Sequence, residues 1–270
     1  MKHMSSTVLI TGTSSGIGRL TAELMAKKGW QVAAASRSPQ TLALDGVFPV
    51  RLDPSEEPSI AAAVKAVVER FGRLDALVNN AGFGLFGPLE GTSAEELDAY
   101  VRANLLGALN VIRRVMPVMR AQKDGTIVNV SSIGGLTSAP MASLYHACKF
   151  ALEGFSESFR YEAALHGVRV KLVEPDHFKT GFLTRSLKLA KHEAYEQALD
   201  NYMQWVMKED ATAPDPRPVA EAILRAATDR SGRLRYRVGG GVGLAMSRLM
   251  PDGMWRNLMS EGMKRRPKGL

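Results

Sequence analysis

Several features that define other classes of protein are missing from this 270-residue chain. It has one cysteine, Cys148, which excludes an internal disulfide and a multi-cysteine metal site. Its uncharged apolar runs fall short of the ~18 residues of a membrane span, and no signal-peptide core follows its first residues. No internal repeat, low-complexity segment or flexible linker divides it. We therefore expect one globular domain over residues 1–270, cytoplasmic and without a metal site.

Negative charge is also scarce. The chain has 27 acidic residues against 35 Lys and Arg, a net charge of +8, and basic residues cluster at 225–237 and 264–268. Such a balance suits an anionic ligand, nucleic acid or an acidic membrane surface. A solvated basic face is the simpler interpretation, so we expect no nucleic-acid partner. Binding to nucleic acid or to a membrane surface stays an alternative, and it predicts an affinity that falls steeply with salt.

What the chain does contain is a regular alternation of short apolar strands and segments with helical periodicity. Strands are predicted at residues 8–10, 31–36, 48–52, 76–78, 125–130, 168–173 and 235–238. Helices are predicted at 17–28, 56–71, 94–120 with a break near Pro117, 144–166, 183–210 and 219–228. This alternation favours right-handed crossovers and a parallel sheet with helices on both faces. The fold class is therefore α/β, a doubly wound parallel sheet.

A glycine-rich turn follows the first strand. Small residues at this position let backbone N–H groups and the positive end of the next helix approach a pyrophosphate. The spacing is Gly-x-x-x-Gly-x-Gly rather than the commoner Gly-x-Gly-x-x-Gly, so the position of the turn carries most of the argument. The residues expected to bind a dinucleotide are Gly12, Ser14, Ser15, Gly16, Ile17 and Gly18.

The end of the second strand lacks the acidic residue that NAD-preferring sites usually place there to accept from the ribose hydroxyls. Its sequence is Ser36-Arg37-Ser38. The Arg37 guanidinium is suited instead to a 2′-phosphate. We therefore predict NADP (NADPH) as the cofactor in preference to NAD, the alternative being a solvent-exposed arginine in a loop.

Tyr145 and Lys149 lie four residues apart, thirteen residues after Ser132. On a helix this spacing puts the phenol and the ammonium group on one face, where the cation can lower a tyrosine pKa of roughly 10. Reduction of a ketone needs a donor to the developing alkoxide and a proton for it, which Ser132 and Tyr145 can supply. These three are the candidate catalytic residues, whereas His146 and Cys148 are expected to pack.

These motifs resemble, in order and spacing, those of the short-chain dehydrogenase/reductases. Residues 7–180 resemble the single-domain subgroup, with hydroxysteroid- and retinol-dehydrogenase-like members nearest. The resemblance implies a Rossmann fold, the catalytic roles given above, and a homodimer or homotetramer. It makes Asp53 the adenine-contacting acid and Asn104 a fourth catalytic residue that orders a water near the lysine. Asn80, Ala81 and Gly82 match the segment that supports the sheet and the adenosine ribose, and Tyr145 and Lys149 also hold the cofactor.

The same resemblance places Pro175, Phe178 and Thr180 at the nicotinamide. Two residues depart from the family pattern. Pro54 follows Asp53 where a free N–H commonly reaches the adenine, and proline has none. Asp176 replaces a glycine after Pro175; aspartate tolerates a positive φ better than most residues, so we expect the turn to survive.

The predicted function is an NADP(H)-dependent oxidoreductase, of carbonyl reductase or alcohol dehydrogenase type, acting on a small apolar ketone or secondary alcohol. The alternative is a catalytically silent NADP-binding sensor or interaction protein with the same fold. Residues 183–218 are expected to form a C-terminal substrate lid that is mobile; a plain packed helix is the other interpretation. The lid helix would present Leu187, Tyr195, Leu199, Tyr202 and Trp205 on one face.

Overall fold

A seven-stranded parallel sheet forms the centre of the protein, in a computed structural model that describes residues 5–39 and 45–264. The described strands are β1 (Thr7–Thr11), β2 (Gln31–Ser36), β3 (Val47–Arg51), β4 (Ala76–Asn79), β5 (Gly84–Phe86), β6 (Gly125–Val130), β7 (Val168–Pro175), β8 (Leu187–Leu189) and β9 (Arg235–Val238). The central sheet has the order β3-β2-β1-β4-β6-β7-β9, and β5 pairs with β8 in a separate small sheet. The doubly wound α/β fold is thereby confirmed.

Helices cover both faces of this sheet. The described helices are α1 (Gly16–Lys27), α2 (Glu57–Phe71), α3 (Ala94–Val101), α4 (Gly107–Gln122), α5 (Ser143–Ala164), α6 (Glu196–Ala211), α7 (Arg217–Thr228), α8 (Gly241–Leu249) and α9 (Asp252–Lys264). No helix in the described ranges has the length and apolar character to cross a membrane. Apart from Lys264, the basic cluster at 264–268 lies outside the described residues.

Alternate residues of one strand enter different cores, as a sheet covered on both sides requires. Leu9 packs in a cluster with side chains of α2, α4 and α5, such as Val115. Val8 and Ile10 pack on the opposite face with side chains of α1 and α7, such as Met25. The strand order reverses between β1 and β4, so the carboxyl ends of those two strands border the crevice where ligands bind in folds of this kind.

The helix predicted at 94–120 is interrupted, but at a different position from Pro117. A π-helical turn at Arg102–Leu106 separates α3 from α4, whereas Pro117 lies inside α4. Pro117 is exposed, as is Arg113, so the carbonyl group that the proline leaves without its helical partner can face water. The expected break near Pro117 is therefore wrong.

The single helix predicted at 183–210 is also wrong. Leu187 lies in β8, which pairs with β5, and the helical segment α6 begins only at Glu196. Gly87 explains this pairing, because a Cβ there would overlap the Ala190 carbonyl group. A glycine therefore lets the two chain segments run side by side. Of the proposed apolar face, Leu199 and Tyr202 are buried.

Candidate active site

The turn between β1 and α1, from Gly12 to Gly18, has the shape of an anion-binding site, and we call it the glycine cradle. Gly12 and Gly16 have positive φ values of 74° and 56°, which suit glycine. A Cβ at Gly18 would overlap the Gly12 carbonyl oxygen. The turn contains the exposed Ser14, and the Ser15 side chain makes no capping hydrogen bond at the start of α1. The first turn of α1 carries no acidic residue, so its positive end, which includes Ile17, suits a pyrophosphate.

The ends of β1 and β4 are held together beside this turn. Thr11 Oγ1 accepts hydrogen bonds from the N–H groups of Asn80 and Ala81, both at 3.0 Å. The Asn80 amide donates to the carbonyl oxygens of Thr11 at 3.0 Å and Gly12 at 3.2 Å. Asn80 thus fixes the position of the cradle. This network uses backbone groups and small side chains, which leaves room for a dinucleotide, so the residues present fit such a cofactor.

Arg37 and Asp53 lie at the far end of the crevice, after β2 and β3. Arg37 is exposed, and its side chain makes no hydrogen bond or ion pair to any other described residue. Asp53 accepts a hydrogen bond from the Ser55 N–H at 2.9 Å through one carboxylate oxygen. Pro54 packs against Gly107, where a Cβ would lie 2.6 Å from the proline ring. The proline therefore fills space at the start of α4 while Arg37 stays accessible.

Ser132 follows β6, and its hydroxyl group has two backbone partners. Its Oγ accepts from the Gly134 N–H at 3.0 Å and donates to the Pro175 carbonyl oxygen at 3.4 Å. The backbone around it is ordered by His146, whose Nδ1 lies 2.8 Å from the Gly134 oxygen and whose Nε2 accepts from the Ala139 N–H at 2.9 Å. Burial lowers the pKa of His146, in keeping with a neutral ring.

Sequence reasoning missed this role of His146, which it treated as a packing residue. The imidazole connects Gly134, inside the turn that follows Ser132, with Ala139 further along the segment between β6 and α5. No local sequence pattern indicates this role of His146. The two backbone partners become neighbours only when the segment folds back over α5.

Tyr145 lies in an aromatic environment on α5. Its ring makes edge contacts with Phe86 at a centroid distance of 5.9 Å and tilted contacts with Phe182 at 6.3 Å. Burial raises the pKa of the Tyr145 phenol, and a hydrogen bond with Ser132 acts in the opposite direction. Desolvation of the phenolate is the largest influence on this pKa, so the lowering by Lys149 expected from the spacing does not set it.

Lys149 lies one turn further along α5, with Nζ 6.0 Å from the centre of the Tyr145 ring. Nζ donates to the Val130 carbonyl oxygen at 3.0 Å. Burial lowers the pKa of Lys149 to about 8, although Cys148 and Glu153 act to raise it. Ser132, Tyr145 and Lys149 are thus brought together at the carboxyl ends of β6 and β7.

Asn104 lies in the π-helical turn and is buried. Its amide donates to the Tyr100 carbonyl oxygen at 3.0 Å, and its oxygen accepts from the Phe83 N–H at 2.9 Å. A Cβ at Gly82 would lie 2.7 Å from that same oxygen. Asn104 therefore ties the turn to the segment after β4. Turns of this kind often occur at functional sites.

The segment after β7 borders the crevice and approaches the turn between β1 and α1. Pro175 ends the strand, Phe178 packs against the core on the α1 and α7 side, and the Thr180 carbonyl oxygen lies 3.3 Å from where a Gly16 Cβ would be. Asp176 is exposed and is not among the described non-glycine residues with positive φ. The turn therefore does not need the positive φ that the family's glycine at this position led us to expect.

Apolar side chains cover the remaining side of Tyr145. They come from β5, from the chain after Gly181 and from α6, and we call them the apolar roof: Phe86, Phe182, Leu183, Leu187, Tyr202, Met203 and Val206. Beside the roof is a surface cavity of about 460 Å³ lined by residues that include Gly87, Glu90, Met141 and Tyr195. Within the described ranges, no group of acidic, histidine or cysteine side chains could hold a metal ion.

The glycine cradle and the Ser132, Tyr145 and Lys149 cluster both lie in the part of the chain that resembles known proteins over its length. A model of the family described as short chain dehydrogenase matches residues 6–190. The chain belongs to the short-chain dehydrogenase family. This confirms the resemblance drawn from the motifs, and it makes the protein an oxidoreductase by family.

Curated members of the short-chain dehydrogenase family are similar over most of this chain. An uncharacterized oxidoreductase of Schizosaccharomyces pombe is 38% identical over 196 residues, which cover 73% of this chain and 83% of the relative. The 3-ketodihydrosphingosine reductase of Bacteroides thetaiotaomicron is 34% identical over 238 residues, covering 86% and 87%.

Solved structures of the family agree on the fold. A short-chain dehydrogenase from Streptomyces avermitilis superposes with a TM-score of 0.80 at 30% identity, covering 98% of this chain and 99% of that one. A Burkholderia phymatum member in complex with NAD has a TM-score of 0.78, 26% identity and coverage of 100% and 99%. A metagenomic oxidoreductase in complex with NADP has a TM-score of 0.70, 29% identity and coverage of 87% and 97%. Both nicotinamide cofactors thus occur among its structural neighbours.

Proposed function

We propose that this oxidoreductase uses NADP(H) to transfer hydride between the nicotinamide and a ketone or secondary alcohol of an apolar substrate. The observation that carries the proposal is the meeting of Ser132, Tyr145 and Lys149 beneath the apolar roof, at the end of the crevice that begins at the glycine cradle. An exposed Arg37 at the ribose end of that crevice supports NADP over NAD.

In the proposed reaction, the bound cofactor supplies hydride to the carbonyl carbon or takes it up from the alcohol. Ser132 donates a hydrogen bond to the substrate oxygen, which orients the carbonyl group. Tyr145 delivers its phenolic proton to that oxygen during reduction and recovers it during oxidation. Lys149 places a positive charge beside the phenolate that remains, and so offsets its desolvation.

A larger set of residues, which includes Tyr145 and Lys149, is proposed to hold the cofactor in the crevice. The cradle from Gly12 to Gly18 would bind the pyrophosphate, and Arg37 with Asp53 the adenosine end. The Asn80 to Gly82 segment would support the ribose. Pro175, Phe178 and Thr180 would flank the nicotinamide, with Tyr145 and Lys149 on the other side. Asn104 is proposed to complete the catalytic set from the π-helical turn.

An apolar substrate is favoured by the side chains that enclose Tyr145. Phe86, Phe182 and Tyr202 present rings, and Leu187 an aliphatic side chain, where the rest of a bound ketone would lie. Such a lining binds apolar groups and excludes water from the reacting atoms. The Bacteroides relative is named for a ketone substrate, which supports the reductive direction. Asp176, exposed at the nicotinamide end, would disfavour carboxylates.

Steady-state assays test this proposal directly. Purified protein is mixed with NADPH or NADH and a panel of ketones of increasing apolar size, and oxidation of the nicotinamide is followed by absorbance. We expect turnover with NADPH that improves with apolar size. Tight binding of NADPH without turnover of any ketone or alcohol would instead support a silent sensor. A preference for small keto acids would contradict the apolar site.

We also propose that the protein assembles as a homodimer or homotetramer through α5. Two large side chains on that helix are exposed in the single chain, Phe150 at 46% and Tyr161 at 69%, and Leu165 directly after it is 82% exposed. Light scattering of the purified protein tests this. A monomer at micromolar concentration would contradict it, and Tyr161→Glu with Leu165→Glu should dissociate the oligomer.

A further inference from the structure

A buried group of charges lies directly behind the catalytic residues and has no part in the reaction proposed above. Glu174, the last residue of β7 before Pro175, is completely buried, and Glu153 on α5 is 4% exposed. Charged side chains are rarely buried to this extent unless they are paired. The pairing here is with two arginines of β9.

Arg235 connects the two carboxylates. Its Nε lies 3.1 Å from Glu174 Oε1 and 3.3 Å from Glu153 Oε2, while its terminal nitrogen lies 3.0 Å from Glu157 Oε2. Arg237 Nε lies 3.6 Å from the other oxygen of Glu174. One side of the group is therefore formed by α5 and the other by β7 and β9.

Glu153 also contacts the turn that follows Ser132, Ile133–Gly135. A Cβ on Gly135 would meet the Glu153 side chain at 2.9 Å, Ser131 Oγ at 2.9 Å and the Lys149 carbonyl oxygen at 3.0 Å. These groups therefore enclose Gly135, which ends the turn that begins at Ser132. On α5, Glu153 lies one helical turn beyond Lys149, and residues at this spacing are neighbours on the helix surface.

We infer that Glu153 is a positioning residue that keeps Lys149 protonated, and that Arg235 and Arg237 hold the Glu153 and Glu174 pair in place for that purpose. The inference rests on the proposed function for its effect on turnover. The charge effect itself concerns only groups of this chain.

The charged surroundings of both groups are consistent with this role. Lys149 is half-buried, and the groups that favour its cationic form are the ionised forms of Cys148 and Glu153. Burial raises the pKa of Glu153, while Ser131, Arg235 and Lys149 lower it.

Glu174 responds to the same neighbours. Burial and the charge of Glu153 raise the pKa of Glu174 to about 7, and Arg235, Arg237 and Arg248 act to lower it. Near pH 8, where Lys149 titrates, Glu174 is therefore largely ionised. Removing its charge should then favour ionisation of Glu153 and should not weaken the support that Glu153 gives to Lys149.

Loss of the Glu153 charge removes a group that favours the ammonium form, so the pKa of Lys149 falls further and its proton is lost at lower pH. A nearby opposite charge commonly shifts a pKa by about one unit. In the reductive direction, the alkaline loss of kcat/KM should move to lower pH with it.

Glu157 provides a matched control. It lies one turn further along α5, pairs with the same Arg235, and its side chain is 59% exposed. Glu157→Gln removes a carboxylate from the same arginine without removing a buried charge beside Lys149. If Glu153→Gln acted only by weakening the contact between α5 and β9, Glu157→Gln would shift the Lys149 midpoint by the same amount.

The test measures the titration of Lys149 directly, in protein labelled with ¹³C at lysine Cε and without cofactor or substrate. The Lys149 resonance is identified by its absence from Lys149→Met. We expect the midpoint to fall by about half a pH unit or more in Glu153→Gln, to stay unchanged in Glu157→Gln, and not to fall in Glu174→Gln. Glu153→Asp keeps the charge and should remain near the wild-type midpoint.

An unchanged Lys149 midpoint in Glu153→Gln, or an equal fall in Glu157→Gln, would overturn the inference. Should Glu153→Gln not fold, the comparison of Glu153→Asp with Arg235→Gln replaces it, because loss of the arginine favours neutral Glu153 and should also lower the midpoint. The pH profile of kcat/KM is then measured for the same variants. A shifted lysine titration in a protein without turnover would refute the proposed function while leaving the charge effect established.

Discussion

The two halves of the candidate site are built from different materials. The half that would hold the cofactor consists of backbone groups and small side chains, in which Thr11, Gly12 and Asn80 fix one another by hydrogen bonds of 3.0 to 3.2 Å. The half that would hold the substrate consists of bulky apolar side chains from segments far apart in the chain, such as Phe86 and Tyr202. The first half tolerates almost no added volume, whereas the second can exchange one apolar group for another.

This difference has a physical origin. Every nicotinamide dinucleotide presents the same pyrophosphate, so its site needs close approach of the backbone, which only glycine and other small residues allow. Substrates differ in shape, and an apolar lining follows them because contact with it is not directional. Substitutions in the two halves should therefore fail in different ways.

The largest effect is expected at the point where the halves meet. Tyr145→Phe keeps the ring contacts with Phe86 and Phe182 but has no proton to deliver, so kcat should fall by 10²-fold or more. The NADPH dissociation constant, measured by fluorescence, should change little. Activity within a few-fold of wild type would show that another group is the general acid.

Cofactor selectivity is the next largest effect. Arg37→Asp removes the cation proposed to bind the 2′-phosphate, a charge-assisted contact that would contribute roughly 1.5–3 kcal/mol, and it adds an acceptor for the ribose hydroxyls. The ratio of kcat/KM for NADPH to that for NADH should invert. The exposed Lys27 undergoes the same charge change in Lys27→Asp, which should leave that ratio alone. An inversion in both variants, or in neither, would show that Arg37 does not determine the preference for NADPH over NADH.

A smaller loss is expected from added volume in the cofactor half. Gly18→Ala places a Cβ against the Gly12 carbonyl oxygen, and overpacking of this kind costs about 1–3 kcal/mol. NADPH affinity should drop roughly tenfold. In Gly243→Ala, on α8, the new Cβ meets nothing within 4 Å, so affinity should stay the same and stability should rise by about 0.5–1 kcal/mol. Equal behaviour of the two variants would mean that the cradle is not tightly packed.

The smallest effect concerns the mobility of the substrate half. We still expect the segment at 183–218 to act as a lid, so limited proteolysis should cut there in the free protein and be slowed by NADPH with an apolar ketone. Cleavage near Arg230 and Arg233, in the exposed connection before β9, is the internal control and should not respond. If ligands leave the cleavage of both regions unchanged, the segment is a packed part of the fold.

Much of this architecture could be predicted from local pattern. The strands at 31–36, 125–130 and 235–238 were predicted within their observed bounds, because alternation of apolar runs with helical periodicity is visible in the sequence itself. The same holds for the glycine cradle and for the Tyr145 and Lys149 spacing. The π-helical turn at Arg102–Leu106 was not predicted, since it depends on contacts of Asn104 with Tyr100 and with Phe83 on another segment.

The sequence by itself determined the doubly wound sheet, the family, and the residues proposed here to carry hydride-transfer chemistry, because each depends on spacing within one strand, turn or helix. Only the tertiary structure decided that residues 187–189 pair with β5 instead of continuing a helix, that His146 orders the Ser132 turn, and that burial dominates the pKa of Tyr145. It also brought Glu153, Glu174 and Arg235 together from three separate elements. Contacts between distant segments, and the loss of water that accompanies them, exist only once the chain has folded.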